Sequence, residues 1–391
     1  MTPPVVGSGR HRWCGALLVV GLGLVLGATL TSSAGPDSDK LRLCLECGTY
    51  GLSDAIGNVA LFVPLALGLR CSGVSGRMTV ALALLLSVCI ELAQLFLPGR
   101  ESALGDIVAN TTGAVVVALL WRWWPERRSG PRGVAAAVAS LFLVVGIGWA
   151  LRPSFPHTVY YGQWTAQLGQ YESYRGKVLS ASIGGLALPS WRLEDSRAVR
   201  ERLAEGEALE VRGIAGPRTE RLAPLFSIAD SAGRSVLLVG PDRDDLVLQL
   251  GTRAIDLRLN QPDLRWRGAM AAARAGDSLV VVVRRSSGGY CLELNGRERC
   301  GLGFSIGRAW ALVQFPPHLP PAAQTALDCV FMALLGLPVG LLLRRDAIGT
   351  VTAVTAVGGV AVLPSLVGLS PTPAHQVAAL ALGLGAAVLS P

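Results

Sequence analysis

Long apolar runs separated by short polar loops fill the first 151 residues and return after residue 322; between them the pattern changes to short alternating runs. A helix that crosses a bilayer core needs about 20 apolar residues. Five runs approach that length early on: Cys14 to Thr31, Ile56 to Leu69, Met78 to Leu97, Leu104 to Trp121 and Gly133 to Leu151. The second is short and spans only by drawing in Asp54 or Arg70 at its ends. Three more follow: Ala326 to Leu343, Ile348 to Leu369 and Ala374 to Leu389, the last weakened by His375 and Gln376 at its start. The pattern predicts about eight spans, with seven as the alternative. The segments are a membrane domain over residues 1–151, an insert over 152–322 and a second membrane region over 323–391.

The insert reads as strands. Ala208 to Val211, Leu225 to Ile228, Ser235 to Val239, Leu246 to Leu250, Ile255 to Leu259, Leu279 to Val283, Tyr290 to Leu294 and Ala309 to Phe315 are short apolar or alternating runs between turn residues. Eight or nine strands at this spacing predict an all-β sandwich, with a helical turn or two at Ser196 to Ala204. Asn295-Gly296 is a favoured two-residue hairpin turn, because both positions tolerate positive φ. It sets Leu294 opposite Arg297, Glu293 opposite Glu298, Leu292 opposite Arg299 and Cys291 opposite Cys300. That last pair falls at a non-hydrogen-bonded position with Cα atoms about 4.5 Å apart, at the short end of the disulfide range. A Cys291–Cys300 bridge is the expected state; the other is two separate thiols on a solvent face.

Composition supports a membrane protein. Of 391 residues 51% are apolar and 16% charged, with a mean hydropathy of +0.47. Soluble proteins carry about 25% charged residues, so a wholly soluble chain is excluded. The formal charge of +8 comes almost entirely from arginine, and the arginines report topology. Arg10 and Arg12, then Arg70 and Arg77, then Arg122, Arg127, Arg128 and Arg132, then Arg344 and Arg345 occupy alternate loops. They place the N-terminus and those loops in the cytoplasm, and loops 32–53, 98–103 and 370–373 outside with the insert. Alternatively, the first apolar run is a cleaved signal peptide, with Ser32 and Ala34 forming a small-x-small site. The insert carries 22 basic and 17 acidic residues. No basic and aromatic residues interleave in a groove-like patch, and Trp121-Arg122-Trp123-Trp124 reads as an interfacial belt, so nucleic acid is not an expected partner.

The cysteines and histidines give no metal centre. Cys44-Leu45-Glu46-Cys47 fits a redox pair, half of a zinc site or a small structural loop. No second CxxC exists and the four histidines are scattered, which favours a structural disulfide. Cys14, Cys71, Cys89 and Cys329 lie in or beside apolar spans and read as packed thiols. No metal or cofactor is expected.

Polar groups within spans are costly and therefore mark function. Asp54 and Asn58, four apart, share a face at the start of the second span. Glu91 and Gln94 lie near the end of the third, Arg100 in the tight loop Pro98-Gly99-Arg100-Glu101, and Asp106 and Asn110 at the start of the fourth. At about 1.5 Å per residue, Glu91 and Asn110 lie roughly 10 and 9 Å inside Pro98 and Leu104, so three helices bring polar groups to one depth on the outer side. The arrangement forms either an outward ligand-binding or catalytic pocket, or a polar lock between helices with Arg100 paired to Glu91 or Asp106.

These residues carry a resemblance. Asp54-Ala-Ile-Gly-Asn58-Val-Ala-Leu-Phe62-Val-Pro64, then Glu91-Leu-Ala-Gln94, Arg100 and Asp106-Ile-Val-Ala-Asn110-Thr-Thr-Gly113 resemble the ordered motifs of the VanZ-like membrane protein family. The match covers residues 54–113. The resemblance implies a cell-envelope protein, since the best-known member is associated with teicoplanin resistance. Simple members have four or five spans, so the insert and the later helices are additions. The insert resembles the concanavalin A-like or laminin-G-like sandwiches that accompany some VanZ-like proteins.

The leading reading is an integral membrane protein that binds an envelope amphiphile, a lipid-linked glycan or a lipoglycopeptide, through Asp54, Asn58, Glu91, Gln94, Arg100, Asp106 and Asn110. Arg100 would hold an anionic head group, and membrane lipid and envelope glycan are the expected partners. The alternative is an enzyme using Glu91 and Asp106 as acid and base on a lipid-linked phosphate or glycan. Against it, no nucleophile motif is visible, and the insert lacks a carboxylate set for glycoside hydrolysis. A third reading is a scaffold in which the polar groups only lock helices. No inverted repeat or paired interrupted helices suggest a transporter.

Overall fold

The computed structural model describes residues 8–31, 41–42, 48–100, 102–122, 130–169, 171–343 and 346–389. Cys44 and Cys47, Ser32 and Ala34, Glu101, and the arginines at 127, 128, 344 and 345 lie outside the described residues. The chain divides into two compact units, residues 1–127 with 258–260 and residues 128–257 with 261–391. Among the described residues, seven helices are long and apolar enough to cross a membrane, by length and composition. They accompany two antiparallel sheets, so the chain is a helical membrane protein with an inserted β domain.

The first unit holds α1 (Ser8–Leu30), α2 (Gly51–Cys71), α3 (Gly76–Gln94) and α4 (Leu104–Arg122), with the parallel two-residue pair β1 (Leu41–Arg42) and β2 (Ser102–Ala103). Ser75 opens α3 by accepting the Met78 N–H at 3.3 Å, a standard cap for an otherwise orphaned donor. α2 packs against α1 and α4, and α3 against α4, around Val25, Phe62, Leu65, Ala83, Ile90, Ala114 and Val117. Small residues let these backbones meet, as association inside lipid requires. A Cβ on Gly21 would lie 2.5 Å from Leu65 N, one on Gly68 2.7 Å from Leu18 N, and one on Gly113 2.4 Å from the Val59 carbonyl.

That register corrects one expectation. Setting Gly21 against Leu65 and Leu18 against Gly68 in antiparallel helices also sets Cys14 against Cys71. The two form a disulfide with Cα atoms 5.4 Å apart, where separate packed thiols were expected. In a reducing compartment the same geometry holds a dithiol. Cys89 and Cys329 are free.

The second unit begins with α5 (Gly130–Ala150). It continues through β3 (Tyr160–Trp164), β4 (Lys177–Ile183), β5 (Leu186–Ala187), α6 (Ser196–Glu205), β6 (Leu209–Ile214), β7 (Phe226–Asp230), β8 (Ser235–Asp242), β9 (Asp245–Leu250), β10 (Leu264–Trp266), β11 (Ser278–Ser286), β12 (Gly289–Leu294) and β13 (Arg297–Leu302). It ends with α7 (Pro321–Leu342), α8 (Ala347–Leu366) and α9 (Ala374–Leu389). The fifth helix belongs here, packing against α7 and α8. The eighth expected span is α9, whose 16 residues extend about 24 Å, short of a bilayer core of about 30 Å.

The sheets run β10-β9-β8-β7-β3 and β13-β12-β11-β6-β4-β5, and one core joins them through Leu209, Val211, Phe226, Ile228, Leu237, Val239, Leu246, Leu248, Val281, Val283 and Leu292. The central strands β7, β8 and β9 of the five-stranded sheet are buried on both faces. Leu237 and Val239 point into the shared core, while Leu238 and Val247 are fully buried outside it. Its sequence signal is the unbroken apolar runs Val236 to Val239 and Leu246 to Leu248, in place of alternation. At the other extreme, β13 is an exposed edge whose charged Arg297, Glu298 and Arg299 discourage pairing with another chain.

The hairpin forms with Asn295 and Gly296 at φ 49° and 79° and the three pairs nearest the turn in register. Cys291 and Cys300 are joined, with Cα atoms 4.0 Å apart. Beyond them an extra residue on β13 shifts the register, so that Tyr290 pairs with Leu302.

Two expected strands are not strands. Residues 253–258 form successive turns, because Ile255, Asp256 and Leu257 donate their N–H groups to Thr252, Arg253 and Ala254. The following Arg258–Asn260 belongs to the first unit, where the Asn260 N–H donates to Ser53 Oγ at 2.7 Å. Ala309 to Phe315 instead contributes to a 3-10 turn over Ile306–Leu312. Its flanks turn toward helices: Arg308 and Trp310 both donate to the buried Asp328 of α7, and the Gly307 N–H donates to Gln376 of α9. A strand's ladder is replaced by these partners.

One buried ion cluster stabilises the five-stranded sheet. Arg265 donates to Asp242 at 2.8 Å, Asp245 at 3.2 Å and Asp263 at 2.8 Å, and His318 adds a contact to Asp242 at 2.9 Å. Burial raises the Asp263 carboxyl above its usual range, outweighing the opposing pull of Arg265. A carboxyl raised in the folded state favours folding below its unfolded pKa, and that contribution is lost as pH rises through its folded pKa. Asp263→Asn should therefore remove part of the fall in stability between acidic and neutral pH. Unfolding midpoints across that range, compared with wild type, check it; parallel curves refute it.

Candidate functional site

The C-terminal end of α1, the start of α2, the end of α3 and the start of α4 meet at one end of the first unit, and the polar residues sit there. Helical spacing explains the selection. Asp106, Asn110 and Gly113 follow i, i+4, i+7 and so share one stripe of α4. Each meets a neighbouring helix: Asp106 accepts from Asn58 Nδ2 at 2.7 Å, Asn110 Nδ2 donates to Ser87 Oγ at 3.0 Å, and Gly113 lies against Val59. On α2, Asn58 and the fully buried Phe62 are four apart, one bonding to α4 and one filling the core.

Glu91 is 4% exposed and accepts the Ala103 N–H at 2.8 Å, with a further hydrogen bond from the Ser102 hydroxyl. Gln94 Nε2 donates to the Thr29 carbonyl at 3.0 Å, tying α3 to α1. Asp54 is exposed at the mouth of the cluster, and Asp106 lies in the electrostatic field of both Glu91 and Asp54. The structure thus brings Asp54, Asn58, Glu91, Gln94, Asp106 and Asn110 to one end of one unit.

Arg100 reaches back to α1. Its Nε donates to the Thr31 carbonyl at 2.8 Å, and its Nη2 to the Ala28 carbonyl at 2.8 Å and Thr31 Oγ1 at 3.2 Å. A guanidinium on the last carbonyls of a helix satisfies orphaned acceptors and opposes the negative end of the dipole. Neither the Glu91 nor the Asp106 pairing forms. Arg100 holds the end of α1 in place.

Sequence reading missed Ser87, Thr29 and Thr31, whose hydroxyls and carbonyls complete the cluster with Ser102. Ser87 was recoverable, since it stands four residues before Glu91 on the same face. The α1 partners were not, because apart from Thr31 Oγ1 their contributions are backbone carbonyls that any residue carries.

Two acceptors have no partner. Gln94 Oε1 and Asn110 Oδ1 are buried without a hydrogen bond, on residues 5% and 1% exposed. Among the described residues, no pair of a nucleophilic hydroxyl and a histidine occurs here. The residues also fail to form a metal centre: among the described residues, Asp54, Glu91 and Asp106 do not bring three oxygens within 4.8 Å of one another. Elsewhere, a sandwich cavity of about 540 Å³ is lined by Trp164, Leu186, Leu188, Leu193, Glu194 and Asp195.

Comparison with known proteins adds one finding. Residues 22–125 match the family model VanZ/LLP1, a stretch that contains all six residues of the cluster and Arg100. No curated protein and no solved structure matches the chain.

Proposed function

We propose that this VanZ-like membrane protein acts at the outer face of a bacterial cytoplasmic membrane. There it binds the polar head of an envelope amphiphile, a lipid-linked glycan or a lipoglycopeptide, through Asp54, Asn58, Glu91, Gln94, Asp106 and Asn110. The observation that carries this reading is the pair of buried acceptors left over on Gln94 and Asn110, one helical turn from Glu91 and Asp106. A cluster serving only to lock helices would satisfy its buried groups internally, since each unmet one costs about 1–3 kcal/mol. Depth agrees: Asp54, Glu91 and Asp106 all lie within about one turn of a helix end, at head-group level. The sandwich, with its tryptophan-lined cavity, offers a second surface to envelope glycan.

The family association makes teicoplanin-type glycopeptides the first ligands to test. Teicoplanin susceptibility is compared in strains carrying the wild-type gene, Glu91→Gln or no gene. Wild type is expected to raise the inhibitory concentration, and Glu91→Gln to return it to the gene-free level with unchanged membrane accumulation. Equal susceptibility with and without the gene removes the resistance assignment. Loss of accumulation in the variant favours the helix lock instead.

A further inference from the structure

We propose that the group recognised at this site is a primary ammonium. The inference rests on the binding reading above and names the chemistry of the ligand. It begins from hydrogen-bonding inventory. Asn58, Gln94 and Asn110 each direct the side-chain NH2 to a protein acceptor, on Asp106, Thr29 and Ser87. Arg100, the cluster's cation, points its donors at the carbonyls ending α1. Two buried amide oxygens remain unpartnered, on Gln94 three residues from Glu91 and on Asn110 four residues from Asp106, and Asp106 interacts electrostatically with Glu91 and Asp54.

Unpartnered amide oxygens together with three carboxylates complement a cation that donates hydrogen bonds. An anionic head would meet three carboxylates, with the Nε and Nη2 of Arg100 already engaged at the end of α1. Among the described residues, the three carboxylates do not bring their oxygens within 4.8 Å of one another, so they do not converge on one small ion. An ammonium with three N–H donors bridges such a spread, whereas a quaternary ammonium has no N–H to offer the amide oxygens. Such a group can come from an amine-bearing lipid head group or from a water-borne amphiphile with a free amine.

The test uses the full chain in nanodiscs of phosphatidylglycerol, with photo-crosslinking mapped by peptide mass spectrometry. One arm adds a diazirine-bearing phosphatidylethanolamine or its N-acetylated form. The other adds a water-soluble diazirine alkylamine or its N-acetylated form. Charge-assisted hydrogen bonds exceed neutral ones by about 1–1.5 kcal/mol, so the amine is expected to label residues 54–58, 87–94 or 102–110 about tenfold more than its acetylated twin. Preference in the lipid arm identifies a head group, and preference in the soluble arm a water-borne ligand; either supports the proposal. Asp106→Asn should abolish the preference. Asp54→Asn, at an exposed position, should weaken it with an unchanged unfolding midpoint, so that a folding defect in Asp106→Asn does not decide the outcome. Equal labelling by amine and acetylated probes overturns the ammonium proposal and leaves the binding site standing. No labelling of these segments by any probe overturns both.

Discussion

Arg265→Met is expected to be the most destabilising single change in the β domain, by about 3–5 kcal/mol at neutral pH, the usual cost of breaking a buried ion pair. Arg265 is nearly buried, with side-chain exposure of 8%, and its two closest carboxylates, Asp242 and Asp263, are 1% and 7% exposed. Methionine fills similar volume but leaves these anions facing one another, with only His318 still beside Asp242. The loss should shrink on acidification, because protonating the aspartates removes the unpaired charge. Unfolding midpoints of the full chain at acidic and neutral pH, with Asp263→Asn added to the variant, measure this. If Arg265→Met shifts the midpoint equally at both pH values, the damage comes from packing and the electrostatic account fails.

Gly113→Ala is expected to cost about 1–3 kcal/mol, towards the upper end for overpacking, because the new methyl would meet backbone. Its Cβ would lie 2.4 Å from the Val59 carbonyl and 3.3 Å from Phe62 Cβ, and no rotamer change moves a carbonyl out of the way. α4 must retreat from α2, drawing Asp106 away from Asn58 and loosening the binding site as well as the core. The control is Gly23→Ala in α1, where a Cβ meets nothing within 4 Å and helix propensity favours alanine by about 1 kcal/mol. Thermal unfolding in nanodiscs should therefore show a lowered midpoint for Gly113→Ala and an unchanged or raised one for Gly23→Ala. Equal midpoints would mean that α2 and α4 do not meet at Gly113.

The motif spacing of the first unit was legible because it is local. The intervals from Asp106 to Asn110 to Gly113 and from Glu91 to Gln94 state which side chains share a helix face, whatever the helices pack against. The Asn295-Gly296 turn was legible for the same reason, since its two positive-φ positions set the nearby register. Register further along the hairpin was not: one extra residue near Gly301, itself at φ 74°, moves the pairing beyond the cysteines. Alternation misled at Ile255 to Leu259, where turn bonds between residues three apart replaced a ladder.

Sequence alone determined that the chain is a multi-helix membrane protein with a β insert, because the length and period of apolar runs follow from bilayer thickness and backbone geometry. It also determined which polar residues gather at one depth, since rise per residue is constant along a helix. Only the tertiary structure decided their partners. The pairing of Cys14 with Cys71, of Asn58 with Asp106 and of Arg100 with the end of α1 depends on which helices are neighbours and in what register. Those choices are made by glycines whose missing side chains admit another backbone, a property that no single segment displays. Arg100 shows the consequence: its charge and position suggested an anion site, and its neighbours made it a helix clamp beside an acceptor-rich one.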